Sequence, residues 1–178
     1  MSRLKLLVVV LAVCVLGACG SSKTDEDADP KPSGGKSESS ASTPEPDFSV
    51  ATWNKEWSAA KQKYINALQG FNNQIDLLNR SSATEQQFAI VITTNSRAIA
   101  DAARALVKSL DEASPIPVDR ADLQGAVDNL RAALVNEEKA YGTSANCRRD
   151  LKCLKAARPA VVEAARRSGT AWGAMPSQ

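Results

Sequence analysis

From Trp53 onward the apolar side chains of this chain recur at alternating intervals of four and three residues: Trp53, Trp57, Ala60, Tyr64, Ala67, Phe71, Ile75 and Leu78. That spacing puts every member on one face of a 3.6-residue helix, while Lys55, Lys61, Lys63 and Asp76 fall off it. A helix over about residues 50–79 is predicted, closed by Asn79-Arg80-Ser81-Ser82. A stripe of this length must be covered by other elements, and the rest of the chain supplies them in the same form.

A second helix is predicted from near Ser82, with Glu85 three residues on as a capping-box partner. Its stripe is Phe88, Ile92, Asn95, Ile99, Ala102, Leu106 and Leu110. Residues 89–94 are β-prone in isolation, but the helical pattern on both sides and the lack of a partner strand favour helix. Ser114-Pro115-Ile116-Pro117 ends it, because each proline disfavours α geometry in the residue before it. A third helix covers about residues 119–141, with Leu123, Val127, Leu130, Leu134, Glu137 and Tyr141 on its stripe, and Gly142 begins the closing turn. A fourth covers about residues 149–172, with Leu151, Leu154, Val161, Val162, Ala165 and Trp172 facing inward. Pro159 lies inside it and should kink it or start a new helix. The expected fold is therefore all-α, an antiparallel four-helix bundle over residues 48–178. A three-helix core with a broken fourth segment is the other arrangement open.

Cys147 and Cys153 stand six apart. In a continuous helix six residues rise about 9 Å, beyond the roughly 7 Å that bridged Cα atoms tolerate. A Cys147–Cys153 disulfide thus requires the chain to turn there, at the corner between helices three and four. The alternative is a redox-active pair: Arg148, Arg149 and Lys152 would depress a thiol pKa, although the spacing is not that of a thioredoxin motif.

The first residues carry a different signal. Arg3 and Lys5 precede eleven apolar residues from Leu6 to Leu16, and Gly17-Ala18 leads into Cys19. The basic, apolar and small-residue order is that of a secretory signal. Leu16-Gly17-Ala18-Cys19 resembles a bacterial lipobox, which implies cleavage after residue 18 and acylation of the Cys19 thiol. Eleven residues reach about 16 Å as a helix, short of the roughly 30 Å bilayer core, which argues against a permanent span. The resemblance implies a mature protein on the extracytoplasmic face of the cell membrane, held by acyl chains worth about 0.8 kcal/mol per buried CH₂. Residues 20–47 hold no large apolar side chain and read as a disordered tether. As a flexible coil those 28 residues average about 30 Å end to end and extend to roughly 95 Å. The domain plan is thus signal 1–18, lipidated Cys19 and linker to residue 47, and a helical domain over 48–178. With its high alanine and arginine content the chain is similar to small lipoproteins of high-GC Gram-positive bacteria.

Composition narrows function chiefly through histidine, of which the 178 residues contain none. Ser-His-Asp and Cys-His mechanisms are removed, as are histidine metal ligands and the Glu-x-x-His motif of di-iron bundles. No residue is assigned a catalytic, cofactor or metal role. Removing residues 1–18 deletes Arg3 and Lys5 and leaves 20 basic against 20 acidic side chains. Residues 48–178 keep 17 basic and 13 acidic.

Two candidate surfaces follow from the bundle geometry. Trp53, Trp57 and Trp172 should gather at the end where the tether enters, as end packing, as a pocket for an apolar ligand, or at the membrane interface. Arg148, Arg149, Lys152, Lys155 and Arg158 should lie at the opposite pole with Asp150 alone among them, either as a solvated helix start or as a contact for an anionic partner. Glu137 and Asn95 interrupt apolar stripes; a drift of the third helix that turns Ala133, Leu134 and Ala140 inward would leave Glu137 out of the core, and neither residue marks an active site. The function expected is a lipid-anchored envelope binding or interaction module meeting an envelope protein or an anionic wall polymer, not nucleic acid. The alternative is a carrier for an apolar ligand or lipid near the tryptophans. An enzyme, for instance one using a Ser-Lys pair, has no motif to support it.

Overall fold

The computed structural model describes residues 48–176. The expected signal over 1–18, Cys19 and the tether through residue 47 lie outside the described residues. Five helices follow in order: α1 Val50–Glu56, α2 Ser58–Arg80, α3 Glu85–Glu112, α4 Ala121–Asn146 and α5 Leu151–Gly173. They pack as an all-helical bundle, with α3 against α4, α4 against α5 and α2 against α3.

The first predicted helix is in fact two. Trp57, with φ −111° and ψ 6°, ends α1 and opens α2. Neither proline nor glycine causes the break. Trp53 and Trp57, four residues apart on either side of the break, are both 2 % exposed in the core. Ser49 caps α1 by accepting from the Thr52 N–H. At the break the Lys55 carbonyl accepts from the Trp57 N–H and from the Ser58 hydroxyl (2.8 Å).

The second predicted helix starts later than expected, because the capping box belongs to Thr84 and Gln87 rather than Ser82 and Glu85. The Gln87 N–H donates to the Thr84 hydroxyl at 3.2 Å, and the Thr84 N–H donates to Gln87 Oε1 at 2.7 Å. Its buried face (Ala89, Ser96, Ile99, Ala100, Ala103, Leu106 and Leu110) is turned from the expected stripe in its first half. Asn95 is only half-buried and donates to Gln74 Oε1 and the Val91 carbonyl.

The third helix continues through Gly142, where closure is expected, to Asn146. Burial of Ser144 and Ala145 rewards the extra turn, and the Thr143 hydroxyl donates back to the Lys139 carbonyl. The fourth runs through Pro159 without starting a new helix. Pro159 and Lys155 are both exposed, so the carbonyl deprived of its donor faces water. Val162, expected inward, is 37 % exposed.

The main core joins Trp53, Trp57 and Tyr64 to Leu106, Leu110, Leu123, Leu130 and Leu134. Each fully buried leucine contributes roughly 1.5–3 kcal/mol of apolar transfer. A smaller cluster of Ala89, Cys147, Leu154 and Ala157 closes the other end. Along α3 and α4 three contacts set the register: Ser96 with Ser144 at 3.1 Å, Arg104 with Glu138 at 2.7 Å, and Asp111 with Arg131 at 2.7 Å.

Candidate functional site

At one pole the three tryptophans come together. The Trp53 and Trp57 rings meet edge-on with centroids 5.5 Å apart, and Trp172 lies 6.0 Å from Trp57 and 6.3 Å from Tyr64. Trp53 and Trp57 are buried and Trp172 is half-buried. The Lys61 ammonium sits over Trp57 and Trp172, 5.4 and 5.3 Å from their centroids, a cation–π arrangement that holds the lysine stem across the cluster. The Trp53 indole N–H donates to the Ser114 carbonyl at 3.0 Å, while Glu56 accepts from the Ser114 N–H at 2.6 Å and its hydroxyl at 2.8 Å. Three bonds thus clasp α1 to Ser114, two residues beyond the end of α3. Trp57 Nε1 is buried with no hydrogen-bond partner among the described residues. Beside the clasp lies a half-open cleft of about 230 Å³ lined by Trp53, Leu110, Pro115, Ile116, Val127 and Arg131.

The middle of the bundle holds a polar link that sequence reasoning set aside. Glu137 is 1 % exposed, in the core together with Ala133, Leu134 and Ala140 rather than displaced by them. The Tyr64 hydroxyl donates to Glu137 Oε2 at 2.6 Å, whereas Glu137 Oε1 has no partner atom in hydrogen-bond geometry. Burial pushes the Glu137 carboxyl above its ordinary range, opposed chiefly by the Tyr64 hydrogen bond; the nearby Ser168 hydroxyl donates to the Ala165 carbonyl. Burial, then the neighbouring carboxylate, pushes the Tyr64 and Tyr141 phenols well up. Tyr64 and Glu137 both stand on apolar stripes in the sequence. The missing information was that the stripes of α2 and α4 face each other at the same level, which also sets Phe71 edge-on to Tyr141 at 6.5 Å.

The other pole is the turn between α4 and α5. Cys147 and Cys153 are disulfide-bonded with Cα atoms 5.4 Å apart, so the chain does turn between them. Arg148 (φ 48°) and Arg149 (φ 77°) both occupy the left-handed region, which costs a side-chain-bearing residue about 1–2 kcal/mol. The Asp150 carboxylate accepts from the Lys152 and Cys153 N–H groups, and the Asp150 N–H donates to the Cys147 carbonyl. Disulfide and cap together hold the strained turn. Arg148, Arg149, Lys152 and Lys155 are exposed here, and no ion pair engages these four among the described residues. Further along α5, Glu163 is drawn to pKa about 2 by hydrogen bonds from Arg166 and Arg167.

The structure thus brings the three tryptophans together, brings the four basic side chains together, and leaves about 28 Å of α5 between Cys153 and Trp172. Among the described residues no three His, Cys, Asp or Glu side chains converge as metal ligands, and no helix is long and apolar enough to cross a membrane. Comparison with protein-family models, with curated proteins and with solved structures finds no match for this chain.

Proposed function

We propose that this protein is a lipid-anchored interaction module of the cell envelope. In this reading Cys19 is acylated after loss of residues 1–18, residues 20–47 tether the domain, and the bundle presents its α4–α5 corner away from the bilayer. The finer architecture belongs to the same proposal: α2 to α5 form an antiparallel four-helix bundle, with α1 folded across one end. Falling numbers along α4 opposite rising numbers along α3, and the meeting of Trp57 with Trp172, support that topology.

The observation that carries the functional reading is the basic corner. Two adjacent arginines are held in left-handed conformation by a disulfide and an aspartate cap, far from the pole where residue 48 enters the fold. Strain retained on an exposed charged turn is expected where the turn is presented to a partner. Two measurements test the proposal with the full chain in its own host. Cys19→Ala is expected to move the protein from the membrane fraction to the soluble one. Affinity capture from native envelopes is expected to recover a partner above a charge-matched control protein. Unchanged fractionation removes the anchor, and recovery no better than the control removes the interaction role.

The half-open cleft beside Trp53 favours a second reading, a carrier for a small apolar ligand. Native mass spectrometry of the protein purified from its host tests it. A ligand-free mass together with tryptophan fluorescence unchanged by added lipid rules it out.

A further inference from the structure

The cations of the basic corner follow one another along the turn and the first turns of α5 rather than closing round one point. Arg148 and Arg149 lie in the turn, and Lys152, Lys155 and Arg158 follow at intervals of three along α5, about 4.5 Å of helix rise for each step. Beyond them the row passes a shallow surface hollow lined by Lys155, Arg158, Pro159, Val162 and Glu163. Pro159 and Val162 give the hollow an apolar floor.

The two carboxylates of this segment, Asp150 and Glu163, are already engaged. Asp150 caps α5 through the N–H groups of Lys152 and Cys153, and Glu163 is paired with Arg166 and Arg167. Four consecutive cations of the row are therefore left to solvent. Arg148 and Arg149 both hold left-handed backbone, which presents their side chains from the exposed turn.

We propose that this row is a docking track for a linear polyanion, whose successive charges meet Arg148–Arg149, Lys152 and Lys155 while less polar linking units cross the Pro159–Val162 floor. A single anion would meet one or two of these charges; a chain meets them all. The proposal rests on the interaction-module reading and names the partner's chemistry at the same corner. A polymer is favoured over the bilayer because the row lies at the pole opposite the one where residue 48 packs.

The test is a binding titration of the full chain with a short synthetic phosphodiester oligomer, with inorganic phosphate at equal phosphate, and with phosphatidylglycerol vesicles. The oligomer is expected to bind with log Kd rising with log salt at a slope of about 3, from four contacts at roughly 0.7 each. The variant Arg148→Gly/Arg149→Gly/Lys152→Ala/Lys155→Ala is expected to lose affinity at least about tenfold and most of that slope. Glycine suits both left-handed positions, so the loss does not come from misfolding, which circular dichroism checks. Lys63→Ala/Arg97→Ala, which removes two exposed cations on α2 and α3, is expected to bind as the parent. Binding that survives the four substitutions overturns the proposal, as does equal affinity for inorganic phosphate. Tighter binding to the vesicles than to the oligomer overturns it in favour of a membrane contact. If envelope capture succeeds while the oligomer fails to bind, the docking track falls and the interaction module stands.

Discussion

Replacing Tyr64 with phenylalanine removes one hydroxyl from the centre of the bundle and leaves the ring that stacks on Trp172. The hydroxyl is the donor seated on Glu137 Oε2 at 2.6 Å, in a site where the other carboxylate oxygen already has no partner atom. Burial raises the Glu137 carboxyl above its ordinary 4.5, so the folded chain keeps a proton there at pH values where the unfolded chain has released it. Stability from this group is complete below about pH 4.5 and is lost as pH rises towards the folded value. Tyr64 limits that loss, because its hydrogen bond favours the ionised form. Phenylalanine lets the folded value climb further, and the loss then extends to higher pH at up to about 1.4 kcal/mol per unit. A neutral hydrogen bond contributes about 1 kcal/mol and a bond to a charged group about 1.5–3 kcal/mol. Tyr64→Phe is therefore expected to cost about 1 kcal/mol near pH 4, where the carboxyl is neutral, and more as pH rises through the folded value, up to about 2–3 kcal/mol where the bond is to the ionised form. Urea unfolding of both proteins across a pH series measures it, since other titrating groups cancel in the difference. A cost that falls as pH rises, or one below about 0.5 kcal/mol throughout, would refute the reasoning.

The turn at the far pole yields three further expectations. Removing the disulfide as Cys147→Ser/Cys153→Ser is expected to cost about 2 kcal/mol on the chain-entropy model, read by urea midpoint. Arg148→Gly and Arg149→Gly are each expected to stabilise by about 0.5 kcal/mol, because relief of left-handed strain outweighs the added backbone entropy of glycine; destabilisation would show that the arginine stems pack. Asp150→Ala removes the cap of α5 and is expected to cost about 1 kcal/mol, with faster amide exchange at Lys152 and Cys153.

What was legible in the sequence was whatever depends on spacing along one helix. The stripes of α2 and α4 were legible, and so was the demand that Cys147 and Cys153 bracket a turn. What was not legible depends on a partner element. The break at Trp57 has no local breaker; it lies where Trp53 and Glu56 bond to Ser114 beyond α3 while Trp57 packs on Trp172 of α5. Two overlapping capping boxes, Ser82 with Glu85 and Thr84 with Gln87, are nearly equivalent as strings, and packing of Ala89 beside Cys147 decides between them. Gly142 reads as a stop only until Ser144 is seen hydrogen-bonded to Ser96 across the core. The tryptophan cluster was legible as a gathering, with end packing among its readings, and Trp53 and Trp57 are indeed buried.

Glu137 is the place where the local rule and the fold disagree, and its retention has a physical reason. Much of the interior is alanine: Ala100, Ala103, Ala133, Ala140, Ala164, Ala165 and Ala171 are all buried. Small side chains interlock weakly, so sliding a helix by one turn forfeits little apolar contact. A buried carboxyl with one well-placed donor penalises such slippage, because every other register leaves it with none. Tyr64→Phe combined with Glu137→Leu should then be tolerated better than the sum of the single changes, since neither partner is left alone in the core. Its cost should appear in uniqueness rather than stability: a lower urea m-value and broadened amide resonances on α2 and α4 are expected at an unfolding free energy within about 1 kcal/mol of the parent. An m-value and line widths matching the parent would show that alanine packing and the Ser96–Ser144 contact suffice to set the register.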